Sequence, residues 1–210
     1  MNVLTPQTPE AWNAYVRSFA GWDIYYLCEY AVSMQLHGDG EPLLLCFEHG
    51  AERMCYVVMR SDIADDPRFH GLLPAGRLFD LETPYGYGGP LTDAPLSPEA
   101  QQIFMDELRA YCLEQRIVTQ FLRYHPLLDN HGAVSPMTDT RYLRDTIYMD
   151  TASPELILAN MDSKNRNMVR KAQRSGVTVR KAPMSEYAPF LELYRQTMDK
   201  HSAEDYYTFD

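Results

Sequence analysis

The sequence has no apolar run approaching the roughly eighteen residues that a membrane-spanning helix needs. Its opening Met1-Asn-Val-Leu-Thr-Pro-Gln7 has neither the basic start nor the apolar core of an export signal. Cysteine is sparse, with four residues at 28, 46, 55 and 112 and no C-x-x-C pair, and three of them sit in apolar runs where a buried thiol is the usual outcome. A reducing, cytoplasmic setting with no membrane span is expected. The six histidines lack metal-ligand spacing, and His125-Pro126 and His131-Gly132 read as turn residues, so no metal is expected. There is no G-x-S-x-G and no arguable cysteine–histidine pair, and the sequence designates no catalytic residue. Repeats and low-complexity tracts are also missing.

The most telling absence is local. Ser163 to Lys181 contains no carboxylate, yet it carries seven cations: Lys164, Arg166, Arg170, Lys171, Arg174, Arg180 and Lys181. Everywhere else the remaining 12 of 19 cations face all 29 acids, in a chain whose net charge is −10. Such a molecule repels polyanions at long range, so any nucleic acid or phosphate would have to be met locally by this segment.

At about 100° per residue, Arg166, Arg170 and Arg174 form an i, i+4, i+8 ridge flanked by Lys164 and Lys171, with Ile157, Leu158, Met161, Met168, Val169 and Ala172 opposite. Ser153 suits an N-cap, Pro154 the first helical position, Glu155 the positive end of the dipole and Gly176 a left-handed C-cap. One helix over 154–175, broken near Ser163, is expected. A solvated face accounts for Arg170, Lys171 and Arg174, because cations near a helix C-terminus are favoured by about 0.3–1 kcal/mol each. It accounts poorly for Lys164 and Arg166, and like charges at i, i+4 repel by roughly 0.2–0.5 kcal/mol per pair.

With 45% apolar residues in 210, the chain can bury one good core, or one core and part of a second. Helices are expected from Thr8 to about Phe19, from Cys28 to Leu36 and from Ser97 to about Gln115, with a short strand at Asp23–Tyr26. Leu43–Phe47 and Arg53–Met59 read as an antiparallel hairpin of buried strands. Arg77–Leu81 reads as a strand leading into Thr83-Pro-Tyr-Gly-Tyr-Gly-Gly-Pro90, and Ile117–Leu122 as a returning strand. This order predicts an α+β layer, a sheet covered by helices, over 1–143. A second unit over 144–210 reads as strand 145–149, the basic helix, strand 177–181 and a helix from Ser185 to Lys200; this is expected to be the opening of a domain, which predicts a fragment inactive by itself, the alternative being an unusually small C-terminal lobe packed on the first.

Asp23-Ile-Tyr-Tyr26 with Glu29-Tyr30, the Gly40-Glu-Pro-Leu43 strand entry, the 83–90 glycine loop, and Ser163-Lys-Asn-Arg166 through Arg170-Lys-Ala172 to Ser175-Gly-Val177 together resemble the Fem-type aminoacyltransferases and their relatives with tandem GNAT-like domains. The resemblance implies a GNAT-like mixed sheet followed by the incomplete start of a second such domain. It implies amide formation, in which an amine attacks an acyl group carried on aminoacyl-tRNA or acyl-CoA, with no tightly bound cofactor. A phosphorylated cell-envelope precursor, a peptidoglycan or surface-polysaccharide intermediate, is the implied acceptor, and tRNA a possible carrier.

Lys164, Arg166 and Arg170 are then candidates to hold a substrate phosphate, for which arginine offers a planar fork and lysine a point charge. Tyr85, Gly86, Tyr87 and Gly88 are candidates to line a cleft, since glycines allow close backbone approach and the tyrosines offer aromatic faces. The loop is not a phosphate fingerprint, and as a tight structural turn it needs no ligand. The alternative function is a non-catalytic protein that captures a phosphorylated sugar or RNA on helix 163–175; the plainest reading is a scaffold with solvent-facing cations.

Overall fold

The computed structural model describes residues 1–134 and 137–207. The chain divides into two units, Met1–Asp145 and Thr146–Asp210.

In the first unit the elements run β1 (Asn2–Leu4), α1 (Pro9–Arg17), α2 (Cys28–His37), β2 (Glu41–His49), β3 (Glu52–Asp62), β4 (Phe79–Glu82), β5 (Leu91–Thr92), α3 (Pro98–Gln115) and β6 (Ile117–Phe121). The sheet has the order β1-β2-β3-β4-β6, with β5 paired to β3. All pairings are antiparallel except β4 with β6, the one pair whose connection passes through a long helix, α3. A parallel pair requires such a crossover, because a hairpin turn cannot return the chain in the same direction.

Strands β2 and β3 are apolar without a break because both faces of the sheet are covered. Leu43, Leu45, Phe47, Met54, Tyr56 and Val58 enter one core with Phe104 and Ala100 of α3. Their neighbours one residue along, Leu44, Cys46, Cys55 and Val57, enter another with Trp12 and Val16 of α1 and Ala31 of α2. A period of two along each strand thus feeds two cores, and a one-residue slip would exchange them.

Asp23–Tyr26 is not a strand. Ile24–Tyr26 is a turn of 3₁₀ helix, in which the Asp23 carboxylate accepts from the Tyr25 N–H at 2.9 Å and Trp12 Nε1 donates to the Tyr26 carbonyl at 2.8 Å. Groups that a sheet ladder would need are therefore already engaged.

The second unit holds α4 (Pro154–Asn160), α5 (Ser163–Arg174) and α6 (Tyr187–Lys200). Ser153 and Asp162 cap the first two through bonds to Leu156 N–H (3.1 Å) and Asn165 N–H (2.7 Å). Asp162 is what breaks the expected single helix: its backbone is extended and its side chain replaces a helical carbonyl. Gly176 closes α5 at φ +77°, with Val177 N–H returning to the Ala172 carbonyl.

The expected strands 145–149 and 177–181 do not form. Both are rich in strand-forming residues, but a strand exists only against a partner, and none pairs with them among the described residues. No described side chain of this unit is buried. Tyr187, Phe190 and Tyr194 of α6 instead pack ring against ring along one helical stripe.

Candidate functional site

Two places carry the sequence-derived candidates, one in each unit. In the first, β4 and β6 run parallel, so the glycine loop after β4 and the 122–130 segment after β6 emerge at the same end of the sheet. In open sheets with parallel strands, ligands characteristically bind outside the carboxyl ends. The two segments keep pairing beyond the strands: Arg123 N–H donates to Thr83 Oγ1 (3.1 Å), Gly88 N–H to the Arg123 carbonyl (2.8 Å), and Gly88 bridges to Tyr124.

The Gly88 carbonyl gathers three donors, from the His125 N–H (3.0 Å), Asn130 Nδ2 (2.8 Å) and the Tyr26 hydroxyl (3.2 Å). Asn130 Nδ2 also reaches the Tyr26 hydroxyl, while its Oδ1 accepts from the His125 N–H at 3.1 Å. Asn130 is 7% exposed and Tyr26 is fully buried, so these bonds are made where water cannot substitute for them. Asp23 reaches His125 Nε2 at 2.7 Å, and His125 Nδ1 accepts from Leu127 N–H at 3.1 Å. Both ring nitrogens are engaged, which makes His125 a fastener of this loop cluster.

Two glycines in the loop are sterically required. Gly86 has φ +105°, and a Cβ there would lie 2.5 Å from Tyr25 Cε1; Gly89 has φ +86°, and its Cβ would lie 2.8 Å from Tyr124 Cδ1. The Tyr25 ring meets Tyr30, Tyr87 and His125 edge to face at 5.2, 5.8 and 6.2 Å. Burial, then the Asp23 charge, raises the Tyr25 phenol, and burial pushes Tyr30 up to about 12 while its hydroxyl donates to the Tyr85 carbonyl at 2.6 Å. These phenols stay protonated and can donate hydrogen bonds. Tyr85, Gly86, Tyr87 and Gly88 thus lie on a firmly held loop.

Sequence reasoning quoted Asp23 only within a motif, read His125 as a turn residue and missed Asn130, because nothing local could show that residues 26 and 130 meet. The four thiols supply no nucleophile: burial raises Cys28, Cys55 and Cys112 and pushes Cys46 up to about 12, so all stay protonated near neutral pH. Among the described residues no cluster of three His, Cys, Asp or Glu could hold a metal, and no helix is long and apolar enough to cross a membrane.

In the second unit, α5 carries Lys164, Arg166, Arg170, Lys171 and Arg174. None of these five cations has a carboxylate partner among the described residues. Asn167, Arg170, Gln173 and Arg174 line a shallow, open depression. Arg166 is placed differently. Its Nη1 donates to the main-chain carbonyls of Leu158 (3.1 Å), Ala159 (3.5 Å) and Met161, the carboxyl end of α4.

An α+β unit with helices on both faces of a mixed sheet, compatible with a GNAT-like fold, thus precedes a helical unit with an acid-free cationic helix. Residues 129–208 match the model of the FemAB family. The matched span contains α4, α5 and α6 and stops short of the glycine loop. No curated protein and no solved structure matches the chain.

Proposed function

We propose that this chain is an aminoacyltransferase that forms an amide bond on a cell-envelope precursor, such as a peptidoglycan intermediate, in the cytoplasm. The observation that carries the reading is the FemAB match over a span containing α5, a helix with five cations and no acidic residue. Members of the FemAB family are aminoacyltransferases, which favours aminoacyl-tRNA over acyl-CoA as donor. The antiparallel sheet with one parallel junction, β4 to β6, supports a GNAT-like first domain.

In the reaction the acceptor amine attacks the ester carbonyl, the new C–N bond forms, the C–O bond to the carrier ribose breaks, and the amine proton passes to the departing oxygen. An already activated ester needs no enzyme nucleophile, consistent with four protonated thiols. Holding both reactants in place, and donating hydrogen bonds to the developing oxyanion, can supply most of the acceleration. On this reading Lys164, Arg170 and Arg174 hold a phosphate-bearing reactant, and Tyr85, Gly86, Tyr87 and Gly88 line the place where the acyl or acceptor group lies.

The test is to incubate the full natural chain with aminoacyl-tRNA and a nucleotide-linked peptidoglycan precursor and to weigh the acceptor. A mass increase of one aminoacyl residue is expected. Retained tRNA or precursor binding with no mass change would replace the transferase by a binding protein.

A further inference from the structure

The three arginines of the α5 ridge stand at one spacing in the sequence and do different things in the structure. Arg166 faces the break at Met161–Asp162, and its guanidinium spans the carbonyls of Leu158, Ala159 and Met161. These belong to the last turn of α4 and its C-cap, which have no other partner among the described residues and carry the negative end of that helix dipole. A cation in the first turn of α5 is disfavoured by its own helix and favoured by the end of the preceding one. That resolves the placement of Arg166, which the sequence left unexplained.

One turn further along, Arg170 and Arg174 with Asn167 and Gln173 turn toward solvent around the open depression. At about 100° per residue Asn167, Arg170 and Arg174 fall within roughly 60° of one another, with Gln173 next to Arg170. Two guanidinium forks and two carboxamides, with no carboxylate among them, make a donor-rich surface suited to phosphate oxygens.

We infer that the anion site of α5 is the Asn167–Arg170–Gln173–Arg174 face and that Arg166 is a positioning residue, which staples α4 to α5 and so sets that face without touching the ligand. The inference rests on the phosphate role given to α5 above and narrows it to named side chains. The ligand chemistry is a phosphodiester or pyrophosphate, from tRNA or from a nucleotide-linked precursor.

The experiment measures binding of unfractionated tRNA to the full natural chain over a series of salt concentrations, with inorganic pyrophosphate as competitor. Each phosphate contact contributes about 0.7–0.9 to the slope of log affinity against log salt. Arg170→Ala and Arg174→Ala are each expected to reduce the slope by about that amount. Arg166→Gln is expected to weaken binding with the slope unchanged and to lower helix content by circular dichroism, and Arg166→Lys to restore both in part. Displacement of tRNA by pyrophosphate points to a compact pyrophosphate site, and its failure to the tRNA backbone; either agrees with the assignment.

A slope lost in Arg166→Gln as in Arg170→Ala would overturn the inference, because Arg166 would then touch the phosphate. Unchanged slopes in Arg170→Ala and Arg174→Ala would overturn it too. A wild-type chain that binds neither tRNA nor pyrophosphate would remove the phosphate role of α5 itself, and the assigned face with it.

Discussion

The glycine loop and the basic helix treat polar groups in opposite ways. Around Gly88, hydroxyl, carboxamide and main-chain groups bond to one another in buried or part-buried positions, and Gly86 and Gly89 leave no room for a Cβ. On α5, five cations lack described carboxylate partners, and only Arg166 spends its guanidinium on the carboxyl end of a neighbouring helix. The contrast extends to whole units. Met1–Asp145 has ten cations, all arginine, against 20 acids, and ion pairs join Arg53 to Asp93, Arg60 to Glu41 and Arg68 to Asp66. Thr146–Asp210 has nine of each sign and concentrates its cations on one helix. A polar cluster that satisfies itself builds a rigid frame, whereas one left open to solvent is available for a ligand.

The sharpest way to break the comparison is to damage the frame. Gly89→Ala places a Cβ against Tyr124 and Asn130 at positive φ, and by strain plus overpacking it should cost about 2–4 kcal/mol in urea unfolding. A cost below about 0.5 kcal/mol, the ordinary range for a surface change, would show that the loop is loose. Asn130→Leu removes the bonds that Asn130 makes to the Gly88 carbonyl, the Tyr26 hydroxyl and the His125 N–H, and should cost about 1–3 kcal/mol by the same measurement.

Arg170→Ala and Arg174→Ala should instead change stability by less than about 0.5 kcal/mol each, since both side chains are exposed. A loss comparable to that of Asn130→Leu would mean that these arginines are also frame.

The smallest expected effect is one of pH. Partial burial of the carboxyl, then the Asp80 and Asp39 charges, raises Glu82 above its usual value. A raised folded value means that the native state holds the proton more tightly than the unfolded chain. That contribution to stability is full below the ordinary glutamate range and is lost as pH rises through the folded value. Glu82→Gln should therefore be more stable than wild type at pH 7 and equal to it near pH 4. A mutant less stable at pH 7 would show that the carboxylate is paired and needed.

Much of this frame is legible in the sequence, because local pattern and tertiary demand agree there. Continuous apolar runs at 43–47 and 54–59 announce strands covered on both faces, and Ser97-Pro98, Ser153-Pro154 and Gly176 mark helix ends that the structure uses. Strands β1 and β5 escape notice because two or three residues carry no period, and the expected strands at 145–149 and 177–181 fail because pairing depends on a partner outside them. At the candidate sites, residue type drew attention to Tyr85, Tyr87, Lys164 and Arg170. It could not show that Asn130 crosses the chain to residues 26 and 88, or that Arg166 turns back onto α4.

The central claim is that the exposed arginines of α5 hold a phosphate-bearing reactant and take no part in the bond making. The measurement that meets it most directly is steady-state amide formation by the full natural chain and its Arg170→Ala/Arg174→Ala double variant, with each phosphate-bearing substrate varied in turn. The account predicts a KM for one substrate raised about tenfold or more, the loss of roughly 1.4 kcal/mol of binding, with kcat within about twofold of wild type. An unchanged kcat/KM, or a loss falling wholly on kcat, would contradict it.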